Sequence, residues 1–290
     1  MRKRILFIVN PISGGLNKVF IPNLIDKYLN HQNFEAKTIY STHAGHAKIL
    51  AQEAVAGNVD IVVAVGGDGT INEVAGVLES SNKIMAIVPC GSGNGLARTL
   101  GIPLDNGKAI AKINALKTTA IDVGILNEKK FFNMAGMGFD AHISAHFANS
   151  VKRGFIGYIK STLKEVVGYQ SQNYQIITDA GKIETNAFML SIANSSQYGN
   201  NAHISPTAST QDGLLDICII KPFPLRMFPV LGYRMFAKTA ANSRYVKIIK
   251  AKSFKIIREI AGPVHVDGEP FIMGECLQVS VKPLALHLII

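Results

Sequence analysis

The sequence predicts an α/β protein in which a parallel α/β half precedes a mostly antiparallel β half. Within the first 120 residues, short β-branched runs alternate with helical patterns, which is typical of a parallel sheet covered by helices. Beyond residue 118, strand-like runs follow one another without regular helices between them, which favours antiparallel pairing. A length of 290 residues suits two domains. We therefore expect one domain at residues 1–120 and a second at residues 121–283.

In the first half, each predicted strand ends in a loop rich in Gly, Ser or Asn. The predicted strands are residues 5–9, 36–40, 61–65 and 85–88. The predicted helices are residues 19–30, 44–56, 71–78, 94–100 and 108–116. Ligands of open α/β sheets bind at the carboxyl ends of the strands, so the loops after these strands should converge on one site.

In the second half, the pattern is one of short strands with one or two inserted helices. The predicted strands are residues 121–126, 131–137, 174–178, 187–193, 215–220, 245–249, 254–257, 264–266 and 277–281. The insertion covers residues 140–169. The apolar tail, residues 284–290, would be an aggregation hazard if it were left unpaired. We expect it to return to the first domain.

The composition excludes several classes of protein. Hydrophobic residues make up 48% of the chain and charged residues 17%, a balance that excludes intrinsic disorder. No run approaches the roughly 18 uncharged apolar residues that cross a bilayer. The basic start is followed by an apolar run, residues 5–9, that is too short for a signal peptide. The three cysteines are widely spaced and form no C-x-x-C pair. These features indicate a protein of the cytoplasm.

Positive charge is concentrated in one part of the chain. The net charge is +10, and residues 217–258 contain ten Lys or Arg but no Asp or Glu. Residues 222–236 interleave Arg226 and Arg234 with aromatic and aliphatic side chains, a mixture that suits the interface of an anionic membrane. A solvated basic face over ordinary core aromatics is the alternative. Nucleic acid is not expected as a partner, because no RNP, zinc-finger or helix-turn-helix pattern accompanies the charge.

The motif of residues 65–73, V-G-G-D-G-T-I-N-E, lies at a predicted strand-to-helix junction. Glycines there leave backbone N–H groups free to wrap phosphate oxygens, and the helix N-terminus adds a positive dipole. A glycine-rich turn without a ligand would explain the glycines but not Asp68 among them. A carboxylate beside a phosphate repels it unless a metal or a transferred proton intervenes, so the motif favours phosphoryl transfer.

Two further loops repeat this design. Residues 89–98, P-C-G-S-G-N-G-L-A-R, follow the fourth predicted strand and offer Ser92 as a hydroxyl donor and Asn94 as a helix cap. Residues 10–15, N-P-I-S-G-G, follow the first strand. Neither a Walker A loop nor a Rossmann G-x-G-x-x-G after the first strand is present in the sequence.

Together with D-G-L-L-D at residues 212–216 and V-D-G-E at residues 266–269, these motifs resemble the diacylglycerol kinase catalytic family, which includes bacterial soluble lipid kinases and sphingosine kinases. The match spans nearly the whole chain in the family's order. The resemblance implies an N-terminal lobe like that of NAD kinases and phosphofructokinases, which binds nucleotide. It also implies a C-terminal β-sandwich lobe for the lipid, with an ATP site in the cleft between the two.

The resemblance also implies roles for individual residues. Nucleotide contacts fall on Asn10, Ser41, Gly66, Gly67, Asp68, Gly69, Thr70, Ile71, Asn72 and Ser92. The general base falls on Asp267, and Asp68 belongs to the polar and metal network, although in sphingosine kinases the matching Asp is favoured as the base. A structural Mg²⁺ is held by the side chain of Asp212 with the carbonyls of Ser209 and Leu214. Such hard oxygen donors suit Mg²⁺ or Ca²⁺.

The expected function is therefore ATP-dependent phosphorylation of a lipid hydroxyl. The lipid could be diacylglycerol, a sphingoid base or a related lipid alcohol, and the enzyme would act at the inner membrane surface. An NAD kinase shares the G-G-D-G-T motif and is the alternative enzyme. The alternative that is not an enzyme is a regulator that binds nucleotide and membrane without catalysis. The oligomeric state is left open, with a dimer among the options.

Overall fold

The computed structural model describes residues 2–15, 17–148, 162 and 165–290. The chain divides into two compact units: unit 1 comprises Met1–Ile121 and Leu284–Ile290, and unit 2 comprises Asp122–Pro283. Unit 1 is built on parallel strands and helices, and unit 2 is dominated by antiparallel strands. The predicted α/β fold class is confirmed.

Unit 1 contains a parallel sheet. Strand β1 (Lys3–Val9) lies between β2 (Phe34–Tyr40) and β3 (Ile61–Gly66), and β4 (Ile84–Pro89) pairs with the other side of β3. The side chains of residues 61–65 are fully buried, as is usual for the near-continuous apolar strands of a parallel sheet. The sheet therefore has the strand order β2-β1-β3-β4.

Helices follow the strands of unit 1. They are α1 (Ile21–Tyr28), α2 (His46–Ala56), α3 (Asp68–Leu78), α4 (Gly95–Thr99) and α5 (Asn106–Ile113). Helix α5 begins where the Asp105 side chain accepts the backbone N–H of Lys108 at 2.8 Å, which satisfies one of the free donors of the first turn. Between strand β4 and helix α4, the chain forms a glycine-rich loop of residues 90–94.

Unit 2 contains two layers of strands. The strands after β4 in chain order are β5 (Thr118–Leu126), β6 (Lys129–Phe131), β7 (Met134–Gly138), β8 (Gln172–Thr178), β9 (Gly181–Ala187), β10 (Met189–Ala193), β11 (Leu215–Ile220), β12 (Val246–Ala251), β13 (Ser253–Arg258), β14 (Gly262–Val266), β15 (Glu269–Met273) and β16 (Cys276–Ile289). One antiparallel sheet has the order β12-β11-β10-β7-β14-β15. In the other layer, β8 lies between β9 and β13, β13 pairs with the first half of β16, and β5 pairs with β6.

The core of unit 2 lies between these two layers. Met137, Leu190 and Ile217 from the first sheet join Ile176 and Ile256 from the other layer in one buried cluster. Alternate residues of a strand point to opposite faces. The first sheet therefore also buries its other face, where Cys218 and Met189 pack against Phe139 and Leu231. These last two residues belong to helices α6 (Phe139–Ala148) and α7 (Phe228–Phe236). Unit 2 is a β-sandwich with helices on one outer face.

Unit 2 differs from the predicted elements in several places, and helix α7 (Phe228–Phe236) is one element whose position was not predicted. The run 131–137, predicted as one strand, is divided between β6 and β7 because the N–H groups of Phe132 and Asn133 donate to the Asp267 side chain. Strands β9 and β15 were not predicted: β9 is mostly polar and exposed, and β15 is a short run of five residues that contains Pro270. Of the predicted helical insertion, residues 149–161 and 163–164 lie outside the described residues.

The apolar tail forms the second half of β16. Leu288 pairs with Met85 of β4 in parallel, and the N–H of Ile290 donates to the carbonyl of Lys117 at 2.9 Å. Leu286 and Leu288 are fully buried. The tail is thus a strand of the unit 1 sheet. Within the described part of the chain, no helix has the length and apolar character needed to cross a membrane.

Candidate active site

The loops that follow β1, β3 and β4 lie against one another in unit 1. A Cβ atom on Gly91 would lie 2.6 Å from the Cα of Gly67, and one on Gly14 would collide with the carbonyl oxygen of Cys90. Gly14 also has a left-handed backbone, with φ of +63°, which favours glycine. These glycines are required because the backbones approach too closely for any side chain. Of the four loops predicted to converge, the three after β1, β3 and β4 are thus shown to meet.

Asp68 ties two of these loops together. It is the first residue of α3, and its carboxylate accepts the N–H groups of Asn94 and Gly95, each at 3.0 Å. A Cβ atom on Gly93 would lie 3.0 Å from the same carboxylate. Charge-assisted hydrogen bonds of this kind are about twice as strong as neutral ones. Asp68 thus organises the loop that begins α4.

Asn94 has a different role from the predicted helix cap. Its backbone is left-handed and its side chain makes no capping hydrogen bond. Instead, the side-chain amide accepts from the N–H of Gly91 at 2.9 Å and donates to the Gly91 carbonyl at 2.8 Å. The Asn94 side chain is buried, so it closes the loop of residues 91–94 from within.

The side chain of Asn10 connects the first loop to helix α3. The Asn10 side chain donates to the hydroxyl of Thr70 at 2.9 Å and accepts the N–H of Ile12 at 3.1 Å. Thr70 in turn packs on Gly66, where a Cβ atom would lie 2.5 Å from that of Thr70. The side chain of Ile71 is in the core, and its N–H donates to the carbonyl of Gly67. Thr70 and Ile71 therefore hold the shape of the loop.

Ser41 and Ser92 differ in exposure. Ser41 is buried, and its N–H donates to the carbonyl of Val9 at 2.9 Å, next to the first loop. Ser92 is exposed at the tip of its loop. Glu73, a residue of the same motif as Asp68, was not assigned a role from sequence. Its carboxylate accepts the N–H of Gly45 at 3.0 Å and so caps helix α2.

Asp267 lies in unit 2, in the turn between β14 and β15. Its carboxylate accepts three backbone N–H groups, those of Phe132, Asn133 and Met134, each at 2.9 Å. Its own N–H donates to the carbonyl of Met134 at 2.9 Å. Such donors stabilise the ionised carboxylate. Asp267 is therefore anchored, and the next acidic residue, Glu269, is exposed at the start of β15.

A buried polar network anchors the strand that leads to Asp267. Asp140, at the start of α6, accepts hydrogen bonds from Ser191 and Tyr198 at 3.1 Å, and its carboxylate lies 3.0 Å from Nε2 of His265. His265 is 3% exposed. Nothing in the sequence pattern indicates this network, because its members come from four separate segments. It fixes β14 two residues before Asp267.

The predicted metal-binding segment forms a loop before β11. Asp122 accepts the N–H of Gly213 at 2.7 Å, and Asp212 accepts the N–H of Leu214 at 3.1 Å. The other oxygen of Asp212 lies 2.9 Å from Nζ of Lys250. Across residues 2–15, 17–148, 162 and 165–290, no set of three His, Cys, Asp or Glu side chains is gathered for a metal. A metal here would rely on the Asp212 carboxylate with carbonyl oxygens, a donor set that fits Mg²⁺ or Ca²⁺.

Comparisons with known proteins match most of the chain. Residues 4–126 match the family model described as a diacylglycerol kinase catalytic domain. Residues 133–290 match the model described as a YegS C-terminal NAD kinase beta sandwich-like domain. A Pseudomonas aeruginosa protein named "Probable lipid kinase YegS-like" is 32% identical over 247 residues, which cover 84% of this chain and 80% of that protein. A Bacillus subtilis protein named diacylglycerol kinase is 29% identical over 277 residues, covering 92% and 90%.

Solved structures share the fold. A crystal structure described as a diacylglycerol kinase from Bacillus anthracis has a TM-score of 0.77 at 23% identity and covers 99% of this chain and 96% of that one. An NAD kinase from Archaeoglobus fulgidus in complex with ATP has a TM-score of 0.53 at 12% identity, covering 100% and 94%. These two likenesses concern the fold alone.

Proposed function

Because the chain belongs to the diacylglycerol kinase catalytic domain family of lipid kinases, we propose that it transfers the γ-phosphoryl group of ATP to the hydroxyl of a membrane lipid. The acceptor is diacylglycerol or a related lipid alcohol, with a sphingoid base among the candidates. The observation that carries the proposal is the meeting of three glycine-rich loops at the carboxyl ends of β1, β3 and β4. This is the edge at which open α/β sheets bind their ligands.

The nucleotide is assigned to these loops of unit 1. The predicted contacts are backbone groups of residues 66–72 together with Asn10, Ser41 and Ser92. Glycine N–H groups and the N-terminus of α3 would hold phosphate oxygens, and Mg²⁺ would enter with ATP as part of the substrate. The side chains of Thr70 and Ile71 are buried, so their part is to keep the backbone of the loop in position.

The chemistry assigned to Asp267 is that of a general base. In the transfer, the lipid hydroxyl oxygen bonds to the γ-phosphorus, the bond to the bridging oxygen breaks, and ADP leaves. The hydroxyl proton passes to the Asp267 carboxylate. Its three N–H donors hold the carboxylate in one orientation, which supports positioning. Asp68 acts through the loop it ties and, in this proposal, through the metal of the nucleotide.

A structural divalent cation is assigned to Asp212 with the carbonyls of Ser209 and Leu214. The loop is already ordered by the N–H groups that Asp122 and Asp212 accept. When bound, the cation would fix this loop against the start of β11. It takes no part in the proposed proton transfer.

Contact with an anionic membrane is assigned to the α7 segment, residues 222–236. Leu231 of α7 is buried, whereas Tyr233 is 72% and Phe236 is 50% exposed, so the helix presents apolar groups on its outer side as well. Arg226, in the turn immediately before α7, is also exposed. Apolar side chains at the acyl boundary with basic groups at anionic headgroups are the pattern of a helix that lies on a membrane. In this proposal the enzyme acts from the cytoplasm on the surface of the inner membrane.

A transfer assay tests the proposed activity. The purified protein is incubated with γ-labelled ATP and Mg²⁺, in separate reactions with diacylglycerol, sphingosine, phosphatidylglycerol or NAD. We expect label in a lipid product and none in NAD phosphate. Label in NADP alone would identify an NAD kinase. ATP binding without transfer to any acceptor would favour the noncatalytic regulator.

A further inference from the structure

Lys250 forms two ion pairs at the loop assigned to the metal. Its Nζ atom lies 2.8 Å from Asp216 and 2.9 Å from Asp212. From these contacts we infer that Lys250 is the resident counter-cation of Asp212, and that a divalent cation must displace it from Asp212 in order to bind. The inference rests on the metal site proposed above.

The pair with Asp216 is set by the register of the sheet. Asp216 of β11 and Lys250 of β12 are directly opposite each other in the antiparallel pairing, the arrangement in which opposite charges interact across strands. Asp216 is 1% exposed, and its second oxygen accepts the Ser205 hydroxyl at 2.5 Å. A buried carboxylate without a counter-charge is strongly destabilising. Lys250 therefore cannot leave Asp216 without a large cost.

The pair with Asp212 is of a different kind. The side chains of Asp212 and Lys250 are 31% and 36% exposed, so water can solvate either charge when they separate. Ion pairs at such sites change an equilibrium constant by about fivefold or less. Asp212 can exchange its ammonium partner for a metal at small cost, while Lys250 stays with Asp216.

A lysine ammonium, with an ordinary pKa of about 10.4, carries its positive charge at neutral pH. The competition is therefore one between two cations for one carboxylate. It predicts that metal affinity at Asp212 rises when the ammonium is removed.

The test is a metal titration without nucleotide or lipid, so that failure of the kinase proposal cannot affect it. After dialysis against a chelator, thermal unfolding is followed at increasing MgCl₂ or CaCl₂ for the wild type and for Lys250→Met. Removing the ammonium should lower the concentration at half-maximal stabilisation by about two- to fivefold, the range expected of such an ion pair. Lys247→Met is the control, because Lys247 is an exposed residue of the same strand and its loss changes the net charge equally.

Two further variants keep the test decisive. If Lys250→Met alone does not fold, the double variant Lys250→Met/Asp216→Asn removes the buried charge with its partner, and the same shift is expected. Asp212→Asn should abolish the response to metal. Equal metal dependence in the wild type and the Lys250 variants would overturn the inference, as would a response that survives in Asp212→Asn or a complete lack of response in all proteins.

Discussion

The carboxylate of Asp267 accepts the backbone N–H of Asn133 at 2.9 Å, across a sequence separation of 134 residues. With the equivalent bonds from Phe132 and Met134, it joins the β14–β15 turn to the start of β7. The side chain proposed as the base thus also stabilises unit 2. Loss of activity in an Asp267 variant has to be separated from loss of stability.

We predict that Asp267→Asn lowers both the stability of unit 2 and the rate of phosphoryl transfer. The amide NH₂ group cannot accept the N–H donors that a carboxylate oxygen accepts, so the free energy of unfolding should fall by about 2–4 kcal/mol. Turnover should fall by orders of magnitude, because the amide cannot take up the hydroxyl proton. Urea unfolding and a labelled-ATP assay at a temperature where the variant is folded measure the two effects.

Glu269→Gln is the matched control for this prediction. Glu269 is an exposed carboxylate on the same hairpin, so its substitution should change stability less. If Glu269→Gln abolishes transfer while folded Asp267→Asn retains it, then the base has been assigned to the wrong carboxylate.

The Asp68 carboxylate gives a second prediction, on nucleotide affinity. Asp68→Ala removes the acceptor of the Asn94 and Gly95 N–H groups, so the loop before α4 should lose its fixed shape. We expect ATP to bind at least about tenfold more weakly, since each charge-assisted bond contributes on the order of 1.5–3 kcal/mol. Isothermal titration with a nonhydrolysable ATP analogue measures this.

Asp105→Ala is the control for Asp68→Ala. Asp105 also accepts a backbone N–H at a helix start in unit 1, that of Lys108, but it caps α5 outside the three loops. The Asp105→Ala variant should lose about 1 kcal/mol of stability and bind nucleotide with unchanged affinity. Equal affinity in both variants would contradict the role given to Asp68.

The close approach of two glycines gives a third prediction. Gly91→Ala would bring a Cβ atom within 2.6 Å of the Cα of Gly67, and the backbones have to separate. Because a displacement of about 1 Å at a reacting group can cost about 100-fold in rate, kcat/KM for ATP should fall by that order. Gly76→Ala is the control: its Cβ atom meets open space in α3, so the variant should be more stable by about 0.5–1 kcal/mol with unchanged kinetics. Normal kinetics in Gly91→Ala would argue against nucleotide binding at these loops.

Local sequence patterns predicted most of the strands and the glycine-rich loops. They could not predict contacts between residues that are far apart in the sequence. The run 61–65 is apolar and β-branched, so its strand could be predicted. The division at Phe132 could not, because it depends on a carboxylate 135 residues away. The same holds for the pair of Asp216 with Lys250, which arises from strand register. Asn94 does occupy the N-cap position of α4, but its side chain bonds within its own loop and not to the helix.

The protein surface proposed to contact the membrane, in the α7 segment, gives a fourth prediction. Tyr233→Ser with Phe236→Ser removes exposed apolar groups from α7, and Arg226→Ala removes a basic group worth about 1 kcal/mol near an anionic surface. Each change should weaken co-sedimentation with phosphatidylglycerol vesicles several-fold and leave the fold intact. Ile272→Ser, at a residue 75% exposed on β15, is the control and should bind normally. Binding that ignores both anionic lipid content and salt would remove the proposed membrane contact.

A fifth prediction concerns stability in acid and rests on His203. Burial, with a smaller effect from Lys238, lowers the pKa of His203 below its ordinary value of 6.5, and its buried Nδ1 atom has no hydrogen-bond partner within the described residues. The unfolded chain then binds the proton more tightly than the folded one, so the contribution of His203 is fully present above pH 6.5 and is lost as the pH falls through the folded value. Urea unfolding between pH 5 and pH 7.5 should show a steeper acid loss for the wild type than for His203→Leu. His287→Leu, at an exposed residue of β16, controls for the loss of an imidazole. If both variants and the wild type lose stability in parallel, then protonation of His203 does not limit the acid stability of unit 2.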